Sequence, residues 1–114
     1  MSSQVNTGHT GPRWAGHPGL RWALPPSTSP YSAAFNPECY WRGPVWPVFT
    51  WLLTWALYRD GEAGVAERLR AVSLEQLGDE TFAEYYQPMT GAPLGSLSQS
   101  WTAAAALDWL LDEQ

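Results

Sequence analysis

Apolar residues fall into three stretches of the chain, and the first predicts a helix from about Pro44 to Tyr58. Pro44 and Pro47 fit the first turn of a helix, where a missing N–H costs little, and Gly61 follows as a C-terminal cap. Apolar side chains occupy every side of this helix, a pattern typical of a helix that is buried all round. Three helices cannot surround it, so the pattern also predicts that this helix belongs to a larger protein.

The second stretch, Glu62 to Leu77, has the helical spacing of apolar residues that is typical of an amphipathic helix. The short link at Asp60 and Gly61 predicts that it forms an antiparallel hairpin with the first helix. Its inner stripe is Val65, Ala66, Leu69, Val72 and Leu77. The residues that we expect to face water are Glu67, Arg68, Arg70 and Glu75.

The third stretch predicts a helix from Trp101 to about Leu111, with Ser98 or Ser100 as its N-cap. A long loop that bears Glu84 separates it from the second helix, and no segment alternates convincingly as a strand. The predicted fold class is therefore all-α, with about three helices. Residues 1–34 are rich in Gly and Pro, and we expect them to be irregular and poorly ordered, with the helical part at 35–114.

Composition narrows the possible partners. The chain has 114 residues, enough for one domain, and a net charge of −5 that argues against nucleic acid. Val45 to Leu57 is too short to span a membrane. The single cysteine, Cys39, and the absence of a segment resembling a signal peptide predict a cytoplasmic location. His9 and His17 have no cluster of further metal ligands around them in the sequence, so neither a metal nor another cofactor is predicted.

Eight tryptophans are unusual in a chain of this length. Tryptophan offers a large apolar face with one hydrogen-bond donor, which suits both tight cores and platforms for stacking sugars. The count indicates an aromatic core, a binding site, or a piece of a larger protein.

Glu84 is the first candidate for chemistry, because it stands between Phe82 and Tyr85. Aromatic neighbours desolvate a carboxylate and favour its protonated form, which suits acid–base work on a sugar or a water molecule. The alternative is a structural glutamate that caps the final helix or pairs with an arginine. Local chemistry leaves both interpretations open.

Tyr40, Trp41 and Arg42, with Trp46, place aromatic rings beside a cation, an arrangement that can hold a hydroxyl-rich ring or an acid group. Packing of these residues around the start of the first helix is the simpler interpretation of this cluster alone. Trp101 and Trp109 fall on the same face of the third predicted helix, which favours a core position for both, although Trp101 also lies next to the Glu84 loop.

Three segments are informative when they are taken together: Tyr40–Trp46, then Phe82–Tyr86 with Pro88 and Thr90–Gly95, and finally Ser100–Ala104. They resemble the C-terminal part of (α/α)6-barrel glycoside hydrolases, in particular the mannosylglycerate hydrolase-like and processing α-glucosidase-like members of glycoside hydrolase family 63. The resemblance covers about Leu24 to Leu111, and we recognise none in residues 1–23. It implies a partial (α/α)6 toroid.

The resemblance implies an inverting hydrolase of α-linked glucosides or mannosides, in which an acid and a base lie ~6.5–9.5 Å apart. Glu84 matches the family's general base, and Trp101 is expected to wall the site. Tyr40, Trp41 and Arg42 are implied substrate contacts. No segment matches the family's general acid, an aspartate on an earlier part of the barrel.

We therefore expect the chain to be a fragment that is inactive alone, with the remainder of the barrel upstream. The alternative is a non-catalytic, Trp-rich helical module that binds a protein or a carbohydrate.

Overall fold

The computed structural model describes residues 16–79 and 81–111, and it is mostly helical. Its three helices are α1 (Pro47–Arg59), α2 (Ala63–Gln76) and α3 (Ser100–Leu111). The sequence pattern missed a two-stranded antiparallel ribbon in the long loop, formed by β1 (Tyr85–Tyr86) and β2 (Pro93–Leu94). Short 3-10 turns lie at Tyr40–Arg42 and Leu77–Asp79.

Helix α1 begins at Pro47, three residues after the predicted start at Pro44. The cause is a backbone bridge between Val45 and Tyr86: the Val45 N–H donates to the Tyr86 carbonyl at 2.9 Å, and the Tyr86 N–H donates back at 2.8 Å. A residue whose N–H and C=O are both paired with a strand cannot join a helix. At the other end Gly61 adopts a left-handed φ of +81°, as expected of a glycine after a helix.

The buried side of α1 is polar, whereas its exposed side is apolar. Thr50 and Thr54 are buried, and their hydroxyls donate to carbonyls of α1 and its N-cap, which allows them to lie inside. Within the described residues α2 and α3 cover only one side of α1, as expected of a helix that three helices cannot surround. Its exposed large apolar residues are Phe49, Leu52, Leu53 and Trp55.

Arg70 on α2 was expected to face water, and that prediction is wrong. Its residue surface is 9% exposed, and its Nε and Nη2 donate to the Trp109 carbonyl at 2.9 and 2.7 Å. Trp109 lies in the last turn of α3, where backbone carbonyls have no partner within the helix. Arg70 Nη1 also contacts Glu67 at 3.3 Å. The buried Arg70 guanidinium therefore satisfies a backbone carbonyl at the C-terminal end of α3.

The buried apolar residues form two clusters. One contains Leu77, Ala83, Tyr86, Ala105, Ala106 and Trp109, which joins α3 to the Glu84 loop; the other contains Leu24, Val45 and Leu69. Trp109 is a core residue, as predicted, and its indole N–H donates to Thr54 Oγ1 at 3.2 Å.

Part of the stretch before residue 34 packs onto these clusters. Leu24 is fully buried, and the Arg21 N–H donates to the Pro88 carbonyl at 2.8 Å. His17 is partly buried with its ring 5.0 Å from that of Tyr31, and His9 lies outside the described residues. The boundary predicted at residue 34 stays a prediction.

Candidate active site

Five aromatic side chains from three separate parts of the chain meet beside Glu84. This aromatic cluster consists of Tyr40, Trp41, Trp46, Phe49 and Tyr85. Trp46 is at its centre and stacks on Trp41 with centroids 4.2 Å apart and on Tyr85 at 4.6 Å. Tyr40 meets Trp46 edge-on at 4.8 Å and Tyr85 at 5.6 Å. Aromatic pairs at these separations stabilise each other beyond the area that they bury.

Backbone contacts explain why the aromatic cluster forms. The Val45–Tyr86 bridge holds the start of α1 against β1, and the Trp46 indole N–H donates to the Tyr40 carbonyl at 3.1 Å. Gly43 packs so closely on the loop before it that a Cβ there would lie 2.4 Å from the Asn36 carbonyl oxygen. A glycine is therefore required where the chain turns from Tyr40–Arg42 into α1.

Glu84 lies one residue before β1 and is partly buried. Its N–H donates to the Ser96 carbonyl at 2.7 Å, and its Oε1 accepts from the Ser96 N–H at 3.2 Å. Within residues 16–79 and 81–111 no arginine pairs with Glu84. Its carboxylate also binds a residue four positions before α3 rather than capping that helix. In the described part of the chain, neither structural role considered for Glu84 is present.

Hydrogen bonds hold the segment before Glu84 against α3. The Thr102 hydroxyl, which is fully buried, donates to the Ala83 carbonyl at 2.9 Å, and the Gln99 N–H donates to the Phe82 carbonyl at 3.0 Å. Phe82 has a left-handed φ of +51°, which costs about 1–3 kcal/mol in a residue other than glycine and persists only where neighbours enforce it. The position of Glu84 is thus fixed from both sides.

The ionisation of Tyr85 is clearly perturbed. Burial raises the pKa of Tyr85 above the ordinary 10.0, and repulsion by the negative charge of Glu84 raises it further. Tyr85 therefore stays a neutral phenol at physiological pH.

The other predicted site residues lie around this cluster. Tyr40 and Trp41 are about half exposed, and Trp101 is 42% exposed with its ring 6.4 Å from that of Phe49. Arg42 is exposed, and its Nε donates to the Ala34 carbonyl at 2.9 Å. In the described ranges Arg42 forms no ion pair.

A cavity of about 260 Å³ opens beside the Trp41–Trp46 stack. Its walls are mostly apolar, and its volume is close to the lower end of the ~300–1,000 Å³ that small-molecule pockets occupy. Glu84 does not line it, so this cavity is a neighbour of the carboxylate and not a complete cleft around it. The lining residues are Pro25, Pro26, Ser27, Trp41, Trp46, Phe49, Thr50 and Leu53.

Sequence reasoning missed several residues that shape the site. It assigned no role to Phe49, which links Trp101 to the rest of the cluster, or to the Ser96 amide. A backbone amide leaves no signal in the side-chain pattern. Gly95, which has a φ of +71°, was named only as the end of the Thr90–Gly95 segment of the resemblance.

Comparison with known proteins decides the family. The family model described as the mannosylglycerate hydrolase MGH1-like glycoside hydrolase domain matches residues 10–102. The chain belongs to this family. The match begins at residue 10, so the expectation that the resemblance starts near Leu24 was too narrow.

The relatives include a glucosylglycerate hydrolase from Mycolicibacterium hassiacum, 61% identical over 100 residues that make up 88% of this chain and 22% of the relative. A mannosylglycerate hydrolase from Thermus thermophilus is 44% identical over 86 residues, which are 75% of this chain and 21% of that protein. The chain therefore spans about a fifth of the length of these curated relatives.

Solved structures agree with the sequence relatives. A glycoside hydrolase family 63 mannosylglycerate hydrolase from Thermus thermophilus, in complex with Tris and D-glycerate, superposes with a TM-score of 0.77 at 42% identity, covering 86% of this chain and 23% of that one. The same enzyme in complex with glucose gives 0.74 at 39% identity, with coverages of 88% and 24%. The fold is thus part of an (α/α)6 toroid, as predicted.

Two findings concern membranes and metals. In the described ranges, no helix has the length and apolarity needed to cross a bilayer. Among the same residues, no three His, Cys, Asp or Glu side chains come together as metal ligands would. The cytoplasmic location stays a prediction.

Proposed function

We propose that this chain supplies the general base and part of the sugar site of an inverting hydrolase that acts on an α-glucosyl or α-mannosyl glycerate. One observation carries the proposal: Glu84 is a partly buried carboxylate, held by a backbone amide at the edge of an aromatic cluster, with no cation paired to it among the described residues. The names of two relatives, a glucosylglycerate and a mannosylglycerate hydrolase, support the substrate class.

In this mechanism Glu84 takes a proton from a water molecule as the water oxygen attacks the anomeric carbon. The bond from that carbon to the glycerate oxygen breaks on the opposite face of the sugar, and the configuration inverts. The departing oxygen receives its proton from a separate carboxylic acid. The resemblance matches no residue of this chain to that acid, so we expect it in an upstream part of the barrel.

The exposed rings near Glu84 suit the sugar. Trp41 and Trp101 present apolar faces on which the C–H face of a pyranose can stack, and Tyr40 adds a hydroxyl. Because Arg42 uses Nε for the Ala34 carbonyl, its two terminal nitrogens remain able to bind the carboxylate of glycerate in a bidentate manner.

A chimera tests the role of Glu84. Residues 10–102 of this chain replace the matching segment of the Mycolicibacterium hassiacum glucosylglycerate hydrolase, and turnover of glucosylglycerate is measured. We expect Glu84→Gln to lower kcat by ~10²–10⁴-fold, the usual contribution of a general base. The Tm should hardly change, because the amide oxygen can still accept from the Ser96 N–H. Glu75→Gln, on the outer side of α2, is the matched control and should keep full activity.

A second variant distinguishes a base from other carboxylate roles. In Glu84→Ala, azide can replace water, because it is already an anion and loses no proton on attack. We expect azide to restore turnover and to give the β-glycosyl azide, the product of inversion. Full activity of Glu84→Gln would refute the proposal and would favour the non-catalytic, Trp-rich module.

A further inference from the structure

The Glu84 carboxylate lies in a space that exists because residue 95 has no side chain. A Cβ built on Gly95 would lie 2.7 Å from Glu84 Oε1, 3.1 Å from Glu84 Cβ and 2.6 Å from Tyr85 Cε1. Gly95 also has a φ of +71°, in the left-handed region that favours glycine. Position 95 therefore requires glycine for two reasons: its left-handed backbone, and the space that the Glu84 carboxylate and the Tyr85 ring already fill.

Glu84 and Ser96 are joined twice. The backbone bond of 2.7 Å from the Glu84 N–H to the Ser96 carbonyl fixes the two chain segments, and the 3.2 Å bond from the Ser96 N–H holds Oε1. In the described part of the chain no group hydrogen-bonds Glu84 Oε2. One carboxylate oxygen is thus anchored and the other is available.

We propose that Gly95 and the Ser96 amide form a positioning clamp for the Glu84 carboxylate. Gly95 leaves the room in which Oε1 lies, and the Ser96 N–H fixes its orientation, so that Oε2 is presented to the attacking water. This inference rests on the proposed role of Glu84 as the general base. Gly95 and Ser96 touch neither sugar nor water in this scheme and act through Glu84.

A methyl group at position 95 would lie less than 3.0 Å from both Tyr85 Cε1 and Glu84 Oε1, so both must give way. Glu84 Oε1 is the end of a flexible side chain and can turn aside, whereas the Tyr85 ring, held by its stack on Trp46 and its edge contact with Tyr40, can shift only together with its backbone. Both movements displace the carboxylate, because Glu84 is the neighbour of Tyr85 in the chain. A misplacement of about 1 Å can cost a catalytic group ~10²-fold in rate, so Gly95→Ala should lower kcat about 10²-fold and leave KM nearly unchanged.

The clamp is tested first on the chain itself, without any activity. In a ¹⁵N-labelled sample, the Ser96 amide proton should move downfield as Glu84 ionises, because a carboxylate is a stronger acceptor than a carboxylic acid. Glu84→Gln should abolish this movement, and Gly95→Ala should reduce or abolish it. An unresponsive Ser96 amide in the wild-type chain overturns the clamp even if the Gly95 variant fails to fold.

The second test uses the chimera described above and two control glycines. Gly91→Ala, on the same loop with a φ of +80°, and Gly61→Ala, with a φ of +81° and no atom within 4 Å of the added Cβ, carry the same backbone penalty away from Glu84. We expect all three variants to lower the Tm and Gly95→Ala alone to lower kcat. Equal kcat values in the Gly95 and Gly91 variants would overturn the clamp. If Glu84→Gln is inactive in the same experiment, the proposed function is still supported. An active Glu84→Gln refutes the function instead.

Discussion

Replacement of Arg70 by methionine tests whether this side chain is buried, as in the structure, or faces water, as the sequence pattern predicts. The pattern places Arg70 on the solvent side, whereas the structure buries it with both Nε and Nη2 on the Trp109 carbonyl. Methionine keeps most of the apolar stem, so the change removes mainly the guanidinium and its hydrogen bonds.

The magnitude follows from the contacts. A hydrogen bond from a charged donor contributes about 1.5–3 kcal/mol, and both of these bonds go to one carbonyl, so they count as one contact of about 2 kcal/mol. The Trp109 carbonyl is then left without this partner at the end of α3, which adds about 1 kcal/mol. The ion pair with Glu67 adds little, because Glu67 is 55% exposed. We expect a loss of about 3 kcal/mol, or a fall in Tm of about 10–20 °C.

Urea unfolding followed by tryptophan fluorescence measures this loss. Arg68→Met is the matched control, because Arg68 is exposed two residues earlier on α2 and its replacement changes the net charge by the same amount. That control should change the free energy of unfolding by less than about 0.5 kcal/mol. Equal effects of the two variants would refute the buried role of Arg70.

Two further predictions concern the surroundings of Glu84. Thr102→Val removes the buried hydroxyl that donates to the Ala83 carbonyl and should lower the free energy of unfolding by about 1–3 kcal/mol in urea titrations. Thr28→Val is the control, because the Thr28 hydroxyl donates to the Trp41 carbonyl near the surface, and its loss should cost less. A larger loss in the Thr28 variant would contradict the buried role of Thr102. Because the pKa of Tyr85 is raised above 10.0 in the folded chain, the unfolded chain ionises first, so the stability that Tyr85 contributes is complete below pH 10 and is lost as the pH rises through the folded pKa. The tyrosinate absorbance of the wild-type chain should therefore show a late step that Tyr85→Phe lacks, and an unchanged titration curve would exclude the shift.

Much of the fold could be predicted from Pro, Gly and apolar spacing. The three helices lie close to their predicted positions because Pro47 and Gly61 act locally, through the geometry of their own backbone. The start of α1 was misplaced because the Val45–Tyr86 bridge joins residues far apart in sequence. No short window along the chain contains that contact.

One further feature and one error have a similar origin. A helix with apolar residues on every side gives no indication of which side the rest of this chain covers, and on α1 the neighbours cover the face of Thr50 and Thr54. Arg70 was assigned to solvent from its charge, whereas the Trp109 carbonyl that compensates its burial comes from another helix. For the site, the family resemblance indicated Glu84 and its aromatic neighbours, but the Ser96 amide could be recognised only in three dimensions.

The register of the ribbon limits how many residues the turn between β1 and β2 can contain. Tyr85 faces Leu94 and Tyr86 faces Pro93, so the six residues between β1 and β2 determine by number alone that Gly95 arrives opposite Glu84. An insertion or deletion of one residue there would bring a neighbour with a side chain into that place and turn alternate residues to the other face. Substitutions within this turn are therefore tolerated more readily than a change in its length.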